Sequence, residues 1–217
     1  MRTQLTLASA LAAAALAVPP ALLPGLAGAG AEGAAVVRGP GVVDPAALGR
    51  LEAGDVIFLS APQALWARLA SRWSLPQFKH GHVGMVVIGR DGEPLVVHAS
   101  GDPTRSKATV RAVSLGKFLE EAKTAAVFRM RDAAAARAAA AEVEGYARRR
   151  MPFDTEFSLK SKNRLYCSEM VWRAMSTALR RDVVPKKAWD YGRPTIRLRD
   201  LEASPDLALV ARARARA

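Results

Sequence analysis

The chain has one cysteine, Cys167, in 217 residues. An internal disulfide is therefore impossible, and so is a zinc cluster built on cysteine pairs. Histidine is almost as scarce, with only His80, His82 and His98. Acidic residues are in deficit, 20 against 32 Lys and Arg, and the formal net charge is +12. A surface so short of acid favours anionic partners. There is no internal repeat. The longest apolar stretch, near the start, is broken by Pro19-Pro20 and makes a poor membrane span.

What is present at the start has three parts. Met1-Arg2-Thr3 is basic, Leu5 to Val18 is apolar and uncharged, and small residues run on to Ala31. A basic head, a short apolar stretch and an Ala-x-Ala site are the pattern of a secretory signal peptide. Ala27-Gly28-Ala29 and Ala29-Gly30-Ala31 both offer such a site. The expectation is a leader over 1–31 and an exported protein, periplasmic or extracellular; the alternatives are an uncleaved anchor or an Ala-rich tail. Only Arg2 is charged in the leader, so the mature charge is +11. Export argues against nucleic acid as the anionic partner and points to cell-wall peptides or phospholipid headgroups.

The remainder is long enough for one domain with a real core. Residues 32–50 are rich in Gly, Ala and Pro and read as a flexible approach segment. The domain is expected over 51–210, and 211–217, where Arg212, Arg214 and Arg216 alternate with alanine, reads as a solvated basic tail. Short apolar runs predict strands at Val56 to Leu59, Val83 to Ile88, Leu95 to Ala99, Val110 to Val113 and Ala125 to Met130, with late strands at Thr195 to Leu198 and Leu207 to Val210. Ser114 to Lys123 reads as a helix. Asp132 is placed to cap an Ala-rich helix reaching about Arg149. From Cys167 to Leu179 the apolar residues recur at helical spacing. Ala61 to Trp73 reads as a helix or lid. The pattern is α+β, with a largely antiparallel sheet.

All three histidines fall on or beside one predicted hairpin. Side chains alternate faces along a strand. His82 and His98 share a face if the loop is the three residues Arg90-Asp91-Gly92, with Gly92 left-handed. Gly84 then faces His98 and leaves space for the rings, and His82 lies diagonal to His98, roughly 7–8 Å away between backbones. A two-residue turn at Asp91-Gly92 would put the rings on opposite faces.

Cys167 opens its helix, in Tyr166-Cys167-Ser168-Glu169. A thiol there feels the positive end of the helix dipole and free N–H groups, which favour thiolate. Its own N–H can face a developing oxyanion. The bland reading is a buried, inert cysteine. Tyr166 either lines a cleft or packs, and Glu169 suits the dipole as a structural carboxylate.

These pieces together resemble the NlpC-type branch of papain-like cysteine hydrolases in its circularly permuted form, the YiiX/YebB-like group. The matching stretches are Gly54-Asp55-Val56-Ile57-Phe58, His82-Val83-Gly84-Met85-Val86, Val97-His98-Ala99, Pro152-Phe153-Asp154-Thr155-Glu156-Phe157 and Tyr166-Cys167-Ser168-Glu169-Met170-Val171. In the ordinary family the cysteine helix precedes the histidine strands; here it follows them. Geometry, not chain order, defines such a site. The resemblance implies a permuted papain-like fold whose sheet packs on the cysteine helix. It implies Cys167 as nucleophile, His82 as base and His98 at the third, orienting position, where many members carry an acidic or other polar group. Gly54, Asp55 and Tyr166 are the candidates for substrate contact. No metal or organic cofactor is implied.

The expected activity is hydrolysis of an amide through a cysteinyl acyl-enzyme, plausibly in a cell-wall peptide. The alternatives are an acyltransferase or amidase acting on lipid, with Leu65, Trp66, Leu69 and Trp73 touching a membrane, and a binding module without turnover.

Overall fold

The structure is a computed structural model that describes residues 41–60, 81–100, 108–120, 122–190 and 192–215. The proposed leader, residues 32–40 of the approach segment, the Ala61 to Trp73 stretch with its two tryptophans, and His80 lie outside the described residues. No helix among the described residues is long and apolar enough to cross a membrane.

Six strands form one antiparallel sheet in the order β4-β3-β2-β1-β5-β8. They are β1 (Val56–Leu59), β2 (His82–Ile88), β3 (Pro94–Ala99), β4 (Val110–Ser114), β5 (Thr124–Met130) and β8 (Leu207–Arg214). A small hairpin pairs β6 (Ala188–Asp190) with β7 (Arg193–Thr195). The helices are α1 (Leu115–Leu119), α2 (Ala133–Arg148), α3 (Cys167–Leu179) and α4 (Leu198–Glu202). The architecture is α+β, as the sequence pattern implies.

Burial on both faces explains the apolar runs of β1 and β2. Val83, Met85 and Val87 point into a core built with α2 and α3. Ile57, Leu59 and Val86 point to the other side, where Phe118 and Leu119 of α1 close a second core. The Ala-rich sequence of α2 keeps its buried face flat. Gly54, at φ +90°, sits so close that a Cβ there would lie 2.4 Å from the Ala136 carbonyl oxygen. Asp132 caps α2 by accepting the N–H groups of Ala134 and Ala135, both at 2.9 Å.

The β2–β3 connection is the three-residue loop. Gly92 is left-handed at φ +84°. The N–H of Gly89 reaches the carbonyl of Glu93 at 2.8 Å, and Met85 pairs with Val97. Continued one step, that register sets Gly84 opposite His98.

Three expectations need correction. Residues 211–214 are not a tail: Ala211 to Arg214 pair with Val127 to Thr124 as the end of edge strand β8. The alternation of alanine and arginine is the period of a half-buried strand, with Ala211 and Ala213 packed on the second core. The outward arginines guard an open sheet edge. The domain also begins before 51, since Val43 and Leu48 are buried in that core. Finally, Thr195 to Leu198 is not one strand. β7 ends at Thr195 and α4 starts at Leu198.

Candidate active site

His82 opens β2 and His98 lies near the end of β3. Their rings meet edge to face with centroids 5.1 Å apart, and Nε2 of His82 is 2.8 Å from Nδ1 of His98. Gly84 lies beside this pair, and the space of its missing side chain goes to Val96 and Phe118 rather than to the rings. A Cβ on Gly84 would come within 3.0 Å of that ring and 2.5 Å of Val96 Cγ1. Phe118 packs against both imidazoles, with centroids at 5.6 Å and 5.3 Å.

This apolar wall sets the electrostatics. His82 is half-buried, and desolvation pushes its pKa down to about 4. His98 is 9 % exposed. Burial holds it well below the usual imidazole range, aided by its neighbours His82 and Arg111. Nε2 of His98 is buried without a hydrogen-bond partner. Nδ1 of His82 bonds to none of the described residues, so it is the nitrogen free for chemistry.

Cys167 begins α3 and is 8 % exposed. It lies among the core residues on the α3 side of the sheet, whereas the imidazoles lie on the Phe118 side. The β2–β3 pairing runs from Ile88–Pro94 to Met85–Val97, and Cys167 approaches β2 just beyond it. Val86 sends its N–H to Asp55 on the β1 side. Alternation therefore turns the N–H of Val83 toward β3. There it faces the sulfur of Cys167. The sulfur thus stands at the β3-facing side of β2, one residue along the strand from His82. No hydrogen bond joins Cys167 to either histidine among the described residues.

The expectation of a resting thiolate is overturned. Burial pushes the thiol up to about 11, against the opposing pull of the N–H groups of Ser168, Val83 and Cys167 itself. Desolvation of a charged sulfur outweighs the helix terminus and three N–H groups. The resting pair is a neutral thiol and a neutral imidazole.

Around the cysteine, the segment 152–165 and α3 are tied by buried polar groups. Asp154, 1 % exposed, accepts the N–H of Glu156 at 2.9 Å and of Ser158 at 3.0 Å, and the hydroxyl of Ser161 at 2.9 Å. Glu169 is fully buried. It accepts the N–H of Tyr166 at 3.3 Å and a fork from Arg173 at 2.7 and 3.0 Å. Burial still pushes Glu169 up to about 7 despite that cation. Arg173 also donates to the carbonyls of Leu159 and Ser161.

The three candidates for substrate contact do not line this site. Tyr166 is 2 % exposed and packs on Phe157, with centroids 5.1 Å apart; its hydroxyl accepts the N–H of Ile196 at 2.8 Å. Asp55 is 1 % exposed and held by the Arg129 guanidinium at 2.9 Å on both oxygens. It lies beyond Val56, at the far end of β1 from the Leu59–His82 pair. Gly54 is a packing glycine against α2. Sequence reasoning in turn passed over Phe118, Ser168 and Ile196. The hydroxyl of Ser168 donates to the carbonyl of Ile196 at 2.7 Å. None of the three carries a local signal, because each acts across a long loop or from another element.

Comparison with known proteins matches residues 50–189 to the family described as permuted papain-like amidase enzyme, YaeF/YiiX, C92 family. No curated protein matches the chain. Among solved structures, the crystal structure described as metalloprotein yiiX from Escherichia coli O157:H7 is similar, with TM-score 0.56 and 24% identity. The match covers 74% of this chain and 96% of that one. At that identity the likeness speaks to the fold. Among the described residues here, no three His, Cys, Asp or Glu side chains converge as metal ligands.

Proposed function

Because the chain belongs to the YaeF/YiiX family of permuted papain-like amidases, and is thus a cysteine hydrolase, we propose that it cleaves an amide with Cys167 as nucleophile and His82 as base. The observation that carries this is the 2.8 Å contact between His82 Nε2 and His98 Nδ1. It fixes the ring and leaves Nδ1 free, one residue along β2 from the N–H that faces the only thiol of the chain.

For His82 to act as base at Nδ1, its proton must sit on Nε2 and be donated to Nδ1 of His98. His98 then carries its own proton on the buried Nε2. Substrate enters over Cys167 and the thiol proton passes to Nδ1 of His82. Sulfur attacks the carbonyl carbon, and the oxyanion is met by the backbone N–H of Cys167. Collapse transfers the proton from His82 to the leaving amine and leaves a thioester. Water, deprotonated by His82, attacks that thioester; the acid departs and the thiol is restored. His98 is neutral, so it orients His82 without supplying negative charge to the imidazolium.

The substrate proposed is a cell-wall peptide, met after export. The leader pattern and the deficit of acid support this reading, since basic side chains suit peptide carboxylates. The test is a digest of cell-wall peptides and of acyl lipids by the purified protein beside its Cys167→Ser variant. Release of amine from peptide, lost in the variant, supports the proposal. Release from lipid alone transfers it to the lipid amidases, and equal product with and without Cys167 removes the thiol from the mechanism.

A further inference from the structure

The residues on either side of Cys167 hold the backbone of one and the same residue, Ile196. Tyr166 accepts the N–H of Ile196 at 2.8 Å, and Ser168 donates to the carbonyl of Ile196 at 2.7 Å. All three residues are buried, at 2 %, 4 % and 2 % exposure. The residues flanking Ile196 are themselves tied together. Asp190 accepts the hydroxyl of Thr195 at 2.6 Å and Nε of Arg197 at 2.8 Å. The Ile196 backbone is thus flanked by two residues tied to Asp190, and its N–H and C=O bond the two neighbours of the cysteine.

A helix start is the part of a helix most in need of outside support, because its first N–H groups have no partner within the helix. Most helices supply it with a Ser, Thr, Asp or Asn cap. Here the cap position is Tyr166, whose N–H is held by Glu169 at 3.3 Å while its hydroxyl is spent on Ile196. The first turn of α3, with the nucleophile in it, is thus held both locally and through the backbone of a residue 28 positions from Ser168.

We propose that Ser168 and Tyr166 are positioning residues that seat Cys167 on the backbone of Ile196, with Asp190 bracing its neighbours Thr195 and Arg197. The seat fixes where the sulfur stands relative to the N–H of Val83 and where the N–H of Cys167 points. This rests on the reading of Cys167 as nucleophile. A displacement of about 1 Å at a reacting group is enough to cost up to roughly a hundredfold in rate.

The test uses the full chain and reads alkylation of Cys167 by iodoacetamide across pH, with melting temperature followed in parallel. Ser168→Ala is expected to slow alkylation near neutral pH by about tenfold and to move its midpoint to higher pH. Ser168→Thr, which keeps the hydroxyl, is expected to restore both. On an amide substrate, kcat falls and KM stays. If Ser168→Ala does not fold, Tyr166→Phe and Asp190→Asn carry the same expectation in smaller measure. A folded Ser168→Ala whose alkylation profile matches the unaltered protein, with only its melting temperature lowered, overturns the proposal. Cys167→Ser separates the two readings. If it turns over amide as the unaltered protein does, the nucleophile assignment fails; if it abolishes turnover while the Ser168 and Tyr166 variants keep both the alkylation profile and kcat, only the seat fails.

Discussion

The carbonyl of Val97 and the side chains of Val96 and Phe118 leave no room for a Cβ on Gly84, and it is this bare position between His82 and His98 that lets Phe118 press on both imidazoles. The contact shields one side of each ring from solvent and favours the neutral forms. It follows that the working form is the neutral pair, which dominates between the low imidazole value and the high thiol value.

The pH profile of kcat/KM should therefore be broad. Below about 4 the His82 ring is protonated and cannot accept the thiol proton, so the acid limb should lie there. Above about 11 the thiol has already lost its proton. A profile measured from pH 3 to 11 is expected to be flat through neutrality, and a steep acid limb near pH 6.5 would contradict it.

His98→Asp should move that acid limb upward. A carboxylate beside His82 stabilises the imidazolium, so the ring stays protonated to higher pH. The comparison is the acid midpoint of kcat/KM in the two proteins. His98→Ala, which leaves the His82 ring unheld, is expected to reduce kcat by about ten- to a hundredfold without moving KM.

The neutral histidines also make stability depend on pH. Their folded values lie below the unfolded one, so the unfolded chain binds more protons as pH falls below about 6.5. The contribution of His82 is complete above that value and is lost toward about pH 4, and that of His98 falls in the same direction. Glu169 runs the other way, since its folded value of about 7 lies above the unfolded one. Its protonated form favours the fold at low pH, and that help fades as pH rises through 4.5 to 7. Glu169→Gln should thus steepen the fall of melting temperature between pH 6.5 and 4.5.

Asp55→Asn distinguishes structure from substrate contact. The carboxylate is buried against Arg129, and breaking such a pair costs about 3 kcal/mol. The expected result is a lower urea midpoint with KM unchanged. A raised KM at unchanged stability would return Asp55 to the substrate.

Gly54→Ala should be severe for its size. The position combines φ +90° with a carbonyl oxygen 2.4 Å from the new carbon. Strain and overpacking together cost about 3 kcal/mol, readable as a loss of melting temperature.

Much of this was legible in the residues. The loop closing at Gly92, and with it the shared face of His82 and His98, follows from strand alternation and one left-handed glycine. The helix from Cys167 to Leu179 follows from its apolar spacing. What escaped notice had one of two causes. The pattern of Ala211-Arg212-Ala213-Arg214 has the period of a strand, but alanine gives so weak an apolar signal that charge dominated the reading. The neutral thiol and the Ile196 contacts depend on burial and on backbone atoms brought from afar, and neither is written in local sequence. Asp55 and Tyr166 stand within motifs of the family, yet motif membership does not separate a residue that meets substrate from one that holds the scaffold.

Ile196 also has a meaning in time. As the chain is synthesised, the histidines emerge first, then the cysteine, and the peptide that seats the cysteine only afterwards. On the proposed seat, the cysteine's support is thus the last part of the site to be made.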